Sequence, residues 1–373
     1  MISNLRSMTI CFILILLVSC QNNNKKPIKT ELRPTLQETI DNYLTTNISS
    51  EQPGATLLVL KDREVIYQGE SGMADIQQGI PINTDTGFRL GSISKTFTAF
   101  SIMSLYEDGE LKLDDSILNY LPEFDETWAP ITIHHLLTHQ SGIFDFGNDK
   151  VIADQMPNVL ENHHIIDYFV NHPELEFETG SRAEYSNTGY VLLATIVERV
   201  SGMRFSDYLE MKILTPLGMF DTYILDDYSA IKNPFALNYG ESLKLTYGKS
   251  NNMDHKRDSF SYGGSGVVST VNDMQRFMQG IMDNNIISEQ AFDMMRTPYV
   301  TDDRSKLSYG YGLAVDPDGK DAFFHSGKND GYRSMMFINR ENASGIIILG
   351  NGGDNIDHFQ ILDLLNEFMS NST

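Results

Sequence analysis

The chain has 373 residues, 41 % of them hydrophobic, with 28 Lys and Arg against 50 Asp and Glu and a formal charge of -22; this is the composition of a globular protein with an ordinary core and excludes a disordered or fibrous chain. The first 33 residues take five of the basic side chains and one acid, leaving 23 against 49 and a formal charge of -26 for the rest, which repels phosphate backbones and excludes nucleic-acid or polybasic membrane binding by charge. Both cysteines, Cys11 and Cys20, lie in the first twenty residues, so everything downstream lacks a disulfide, a thiol nucleophile and a Cys-ligated metal centre.

The chain opens with a polar stretch holding Arg6, followed by an apolar run over residues 10–18. That run is shorter than the roughly 20 apolar residues a bilayer crossing needs and suits the core of a signal peptide. Its ending, Leu17-Val18-Ser19-Cys20, resembles a bacterial lipobox, in which cleavage leaves a lipid on the new N-terminal Cys. Residues 1–20 are therefore expected to be a lipoprotein signal, with a plain secretory signal or an uncleaved anchor as the alternatives. Cys20 would tie the protein to a membrane of the bacterial cell envelope, on its periplasmic or extracellular side. Residues 21–34, polar from Gln21 to Pro27, read as a flexible tether, and residues 35–373 as the folded body.

In the body, Leu36, Ile40 and Leu44 have helical spacing. Residues 55–60 and 65–67 are strand formers separated by Lys61-Asp62-Arg63-Glu64, the pattern of a hairpin. An extended segment, 87–90, runs into a helix over 96–106, and further helices are expected over 131–137, 189–200 and 205–213. Strands are expected again over 311–315, 322–325, 334–339 and 345–349, then a closing helix over 356–369. The connectors between these strands are too short for parallel crossovers, which predicts an antiparallel sheet. The expectation is an α+β fold: a sheet built from both chain ends, about 35–90 and 305–373, flanked by helices, with a mostly helical region over about 91–304.

Three polar clusters could carry chemistry. In Gly91-Ser92-Ile93-Ser94-Lys95, Ser92 lies at a helix start beside backbone donors without helical partners, and Lys95 stands one turn on along the same face. Buried, the Lys95 ammonium would lose protons readily and act as a base toward the Ser92 hydroxyl; exposed, the pair would be a capping Ser and a solvated Lys. Ser229 and Lys232 have the same spacing, but Asn233-Pro234 prevents the helix that would align them. Tyr185-Ser186-Asn187 leads into an apolar helix, and no other of the 17 tyrosines is followed two residues later by Asn. His325-Ser326-Gly327, the chain's one H-x-G, closes a predicted strand. A Tyr near a helix start and a His on a strand are also common structural residues.

In this order, Ser-x-x-Lys, Tyr-x-Asn and His-x-Gly resemble the serine beta-lactamase and penicillin-binding-protein superfamily, in the branch of class C beta-lactamases, D-alanyl-D-alanine carboxypeptidases, D-aminopeptidases and esterases. The stretches 88–99, 131–142, 216–219 and 264–270 are similar to other segments of that family. The resemblance implies a beta-lactamase/transpeptidase-like αβα sandwich and assigns Ser92 as the acylated nucleophile. Lys95 and Tyr185 would handle the protons, Tyr185 as base or relay with its pKa lowered by Lys95. Asn187 would bond Lys95 or the substrate amide, and His325 would join the catalytic set. The backbone N–H groups of Ser92 and Lys328 would form the oxyanion hole, and Ser326 and Gly327 would border the substrate.

No cofactor or metal is implied, and the partner is a small-molecule or peptide substrate; the sequence does not give the oligomeric state. Many relatives carry Lys where His325 stands, and neutral His would hold a substrate carboxylate less well. An esterase or a D-residue-specific peptidase is therefore expected rather than an efficient beta-lactamase. The alternatives are a class C-like beta-lactamase and a non-catalytic peptide- or muropeptide-binding lipoprotein. His134, His135 and His139 mimic a metal pair without an H-E-x-x-H. Gly263 to Gly266 and Gly350 to Gly353 lack the Lys of a phosphate loop, Asp316 to Gly319 is too short for a calcium loop, and the absence of G-x-S-x-G excludes an alpha/beta-hydrolase elbow.

Overall fold

A computed structural model describes residues 35–147, 150–157, 159–232, 234–239, 258–299, 308–316, 321–329, 331–353, 357 and 360–362. The signal, the tether and Cys20 lie outside the described residues, as does most of the closing helix, of which 360–362 are helical. Residues from Leu36 onward form one compact unit.

Six strands build the main sheet: β1 (Ala55–Lys61), β2 (Glu64–Ser71), β3 (Ala314–Val315), β4 (Ala322–Asn329), β5 (Tyr332–Asn339) and β6 (Ser344–Gly350). Their spatial order is β3-β4-β5-β6-β1-β2, and every pairing is antiparallel. The two chain ends meet where β1 pairs β6, from Ala55 opposite Gly350 to Leu60 opposite Gly345. Strands β1 and β6 read as unbroken apolar runs because both faces of the sheet are covered. Alternate residues serve two cores: Ala55, Leu57 and Val59 join Ile346 and Ile348 against Ile40 and Leu44 of helix α1 (Leu36–Asn47). Leu58, Leu60, Ile347 and Leu349 face the other way, into the main core. The sheet thus lies between helical layers, in the expected α+β arrangement.

The main core is organised by helix α2 (Ser94–Glu107), buried almost all round; such a helix shows little amphipathic periodicity because it has little outside. Its Phe97 stacks on Phe277 at 4.0 Å between ring centroids. A short α3 (Ile133–Leu137) starts at a Thr132 cap, and α4 (Asn162–Asn171) follows in the helical region. Helix α5 (Asn187–Ser201) begins at the Ser186 cap and stops at Gly202, which takes the left-handed conformation that needs no Cβ. Two further helices, α6 (Val271–Met282) and α7 (Glu289–Met295), follow cap residues Thr270 and Ser288; neither was expected from the sequence pattern, although both caps are legible in it. The helix from Phe205 stops as a regular α-helix at Leu209 and continues through a wider turn over Glu210–Leu214. The expected strand over 311–315 is shorter, Ala314–Val315. Around Ser229 and Lys232 the chain forms only a short turn, Tyr228–Ala230, and Lys232 Nζ donates to Phe220 O at 3.0 Å.

A second, three-stranded sheet places the Ser92 segment: Phe88–Arg89 pairs Val267–Ser269, which pairs Tyr223–Ile224. The chain leaves it at Leu90 and enters α2 through a single 3-10 turn, Gly91–Ile93.

Candidate active site

Gly91 makes that turn. Its φ is +53°, and a Cβ there would stand 2.8 Å from Lys328 N and 3.0 Å from Lys328 O. Gly327 is equally crowded, with a virtual Cβ 1.9 Å from Leu90 O, and Ser334 Oγ of β5 donates to the same carbonyl at 2.6 Å. The two glycines let the 90–92 segment lie against the end of β4, so the backbone of Ser92 and that of Lys328, the two expected oxyanion donors, come from segments in direct contact. On β4 the side chains alternate: His325 and Gly327 are buried, Ser326 and Lys328 exposed.

Lys95 is fully buried. Its Nζ lies 2.7 Å from Asn187 Oδ1, 2.9 Å from Gly264 O and 3.3 Å from Ser92 Oγ. It also sits 4.6 Å from the Tyr185 ring centroid and 5.6 Å from that of Tyr190. Burial lowers its pKa from 10.5 to about 7, with the nearby Asp145 opposing the change. The amine is therefore available in neutral form near neutral pH. Such an amine has two N–H groups, and two of its neighbours, Asn187 Oδ1 and Gly264 O, can only accept. Its lone pair then faces the third neighbour, Ser92 Oγ.

Burial drives the Tyr185 phenol well above its ordinary pKa, with a hydrogen bond between it and Ser92 countering the rise and the Asp145 charge adding to it. This corrects the expectation of a lowered pKa: burial favours the protonated phenol, which suits Tyr185 to donate a proton and leaves Lys95 as the group suited to accept one. Ser186 N–H donates to His139 Nδ1 at 3.1 Å, which fixes Tyr185 between the His139 ring, 4.4 Å away between centroids, and Lys95.

His325 is 5 % exposed. Its Nδ1 lies 2.7 Å from Ser326 O and its Nε2 3.0 Å from the Tyr309 hydroxyl. A carbonyl only accepts, so Nδ1 carries the proton and Nε2 accepts from Tyr309. Burial, with help from Lys95, pushes its pKa down to about 3, and the ring is neutral. It therefore brings a hydrogen-bonded neutral ring, not a cation, to this strand position. Lys328 points to solvent, and Arg333 NH1 donates to Tyr332 O at 2.8 Å.

The sequence reading missed Asp145, Tyr309 and Gly264 O. Asp145 lies on the loop after Gly142, which is tied to the start of α5: Thr188 Oγ1 donates to Phe144 O at 2.8 Å and accepts from Phe146 N at 3.0 Å. The Asp145 carboxylate accepts from Asn187 N and Asn187 Nδ2, each at 3.0 Å, and from Gly147 N at 3.3 Å. A pocket of about 220 Å³ opens here, lined by Ile143, Phe144, Asp145, Glu176, Glu184 and Tyr185. Among the described residues, no cluster of three His, Cys, Asp or Glu could hold a metal ion. His134 bonds the Tyr311 hydroxyl at 2.9 Å and His135 completes the Thr132 cap.

Residues 36–366 match the beta-lactamase family. Penicillin-binding protein 4* of Bacillus subtilis (strain 168) is 28 % identical over 322 residues, 83 % of this chain and 71 % of the relative. A D-aminopeptidase of Gluconobacter oxydans is 26 % identical over 79 % of this chain and 55 % of its own length. The esterase EstB of Burkholderia gladioli is 24 % identical over 80 % and 86 %. Among solved structures, the octameric penicillin-binding protein homologue from Pyrococcus abyssi superposes with a TM-score of 0.74 at 27 % identity, covering 87 % of this chain and 75 % of that one.

Proposed function

We propose that this chain, which belongs to the beta-lactamase family, is a serine hydrolase that cleaves an ester, or an amide in a small D-residue-containing peptide, through an acyl-enzyme on Ser92. The observation that carries the reading is the buried Lys95 Nζ, 2.7 Å from Asn187 Oδ1, 2.9 Å from Gly264 O and 3.3 Å from Ser92 Oγ; in its neutral form it spends both N–H groups on the two obligate acceptors and turns its lone pair to Ser92. As the Ser92 oxygen bonds the substrate carbonyl carbon, its proton passes to Lys95 Nζ. The carbonyl oxygen takes the negative charge, which the N–H groups of Ser92 and Lys328 stabilise. When the tetrahedral centre collapses, the C–O or C–N bond to the leaving group breaks, and that group collects a proton from the Tyr185 hydroxyl, itself resupplied by Lys95. Water then attacks the acyl carbon, gives its proton to the same pair, and releases the acid and Ser92.

Esterase and D-aminopeptidase relatives support this substrate class. The neutral His325 argues against efficient penicillin turnover, because a penicillin carboxylate would find no cation at that strand position. We also propose that Cys20 carries a lipid that holds the enzyme to an envelope membrane, with residues 21–34 as its tether.

Intact mass tests both parts. A fluorophosphonate probe should add one adduct to the wild-type chain and none to Ser92→Ala, with penicillin labelling weak or absent. A folded wild-type chain that takes up neither reagent would leave a binding protein as the better reading, and fast penicillin turnover would make it a beta-lactamase. The same measurement on full-length chain made in a bacterium should give a product starting at Cys20 with diacylglycerol attached; an unlipidated N-terminus would refute the anchor.

A further inference from the structure

Asn187 could in principle present either end of its amide to Lys95. With Oδ1 toward the amine it accepts an N–H and leaves the lone pair for Ser92. With Nδ2 toward the amine it would donate to the lone pair and occupy the base. An isolated amide gains little by either choice, so something must set it. Three N–H donors converge on the Asp145 carboxylate, two of them from Asn187: its backbone N–H and its Nδ2, each at 3.0 Å. A carboxylate offers only acceptors to them, so Nδ2 must turn to Asp145 and Oδ1 to Lys95, where it is found at 2.7 Å.

We propose that Asp145 is a positioning residue of the acylation step, locking the Asn187 amide in the one orientation that leaves the Lys95 lone pair facing Ser92. Asp145 does not touch the reacting atoms in this role; it acts through Asn187. The inference rests on the reading of Ser92 and Lys95 as nucleophile and base. The loop that carries Asp145 is held independently by Thr188 and by the Glu176 N–H, which donates to Gly142 O at 2.7 Å. The carboxylate is therefore presented from a fixed backbone.

The test is the second-order rate of fluorophosphonate labelling of Ser92 across pH. In that reaction the Oγ–P bond forms, the P–F bond breaks, fluoride leaves and the hydroxyl proton goes to Lys95. The titratable groups facing Lys95 are Tyr185, Tyr190, His139, His325 and Asp145, and Glu176 and Glu184 share the pocket of Asp145. Asp145→Asn keeps the shape but gives position 145 its own N–H donors, so the Asn187 amide is released. The high-pH plateau should fall about 100-fold, the lower end of the range for a lost general base. In the exchanged pair, Asp145→Asn with Asn187→Asp, position 187 has only acceptor oxygens and the amide introduced at position 145 donates to them. The plateau should then recover most of its height, with the rise moved to higher pH because the negative charge now adjoins Lys95.

If Asp145 acts through its charge alone, Asp145→Asn will shift the rise to lower pH and leave the plateau untouched, which overturns the proposal. A folded exchanged pair as slow as Asp145→Asn also overturns it, and decides the matter alone if the single variant does not fold. Absence of labelling in the wild-type chain would remove the nucleophile reading itself, a result distinct from either.

Discussion

The chemistry of this site turns on one side chain. A lysine with no exposed surface cannot remain an ordinary ammonium, because the charged form gives up its hydration and recovers only partial compensation from Asp145. The sign for activity follows directly. The base must be neutral, and the neutral fraction grows as pH rises through about 7. For an uncharged ester, log kcat/KM should therefore climb with unit slope on the acid side and flatten above that value. Lys95→Arg, whose guanidinium stays protonated, should lose about 10²–10⁴-fold at every pH, the range for a removed general base. A profile whose rise sits near 10, or an active arginine variant, would mean Lys95 is not the base. Tyr185 is the poorer base of the two, since burial raises the pKa of its phenol.

At the level of elements, the site depends on two backbone segments from opposite ends of the sequence lying against one another. Gly91 and Gly327 permit it, one by a left-handed φ and both by leaving no Cβ. In Gly91→Ala the new methyl would stand 2.8 Å from Lys328 N, so the end of β4 must move away from Ser92. Loss of one oxyanion donor costs about 10²–10³ in kcat, and we expect a fall in kcat of that size with little change in KM. The strain should lower stability by about 1–3 kcal/mol; urea unfolding reads the second effect and steady-state kinetics the first. An alanine variant with wild-type kcat would separate Gly91 from the oxyanion hole.

The same level explains what the sequence disclosed. Ser92 and Lys95 were legible because they are local, one helical turn apart, and the antiparallel sheet was legible from short connectors. Helices α6 and α7 went unpredicted although their signals are present, in the Thr270 and Ser288 caps and, for α6, in the helical spacing of Val271, Met274, Phe277, Met278 and Ile281. Asp145 was missed because its partner lies 42 residues away and nothing in its own neighbourhood announces that partner. The pKa of Tyr185 was misjudged for a related reason. The family resemblance places Lys95 near it but says nothing of the burial that dominates the shift.

Over the whole molecule, charge is the feature most exposed to solution. The chain carries -22 formally, and the pocket beside Tyr185 is lined by Asp145, Glu176 and Glu184. Part of that is answered locally, since Arg182 bridges Glu176 at 3.3 Å and Glu184 at 3.0 Å. The long-range field remains negative, and at low ionic strength such a field raises the encounter rate of cations and depresses that of anions, by about 10-fold or more. Salt removes the effect once the screening length falls to about 10 Å, near 0.1 M. Three esters of one acyl group, with cationic, neutral and anionic leaving groups, should therefore diverge. From about 0.01 M to about 0.5 M salt, kcat/KM should fall several-fold for the cation, rise for the anion and stay level for the neutral ester. Because all three pass through the same acyl-enzyme and each ester is compared with itself across salt, a divergence confined to kcat/KM locates the effect before deacylation, where the charged leaving group approaches and binds. A uniform response would show that the acidic surface keeps the protein dispersed and has no part in choosing its substrate.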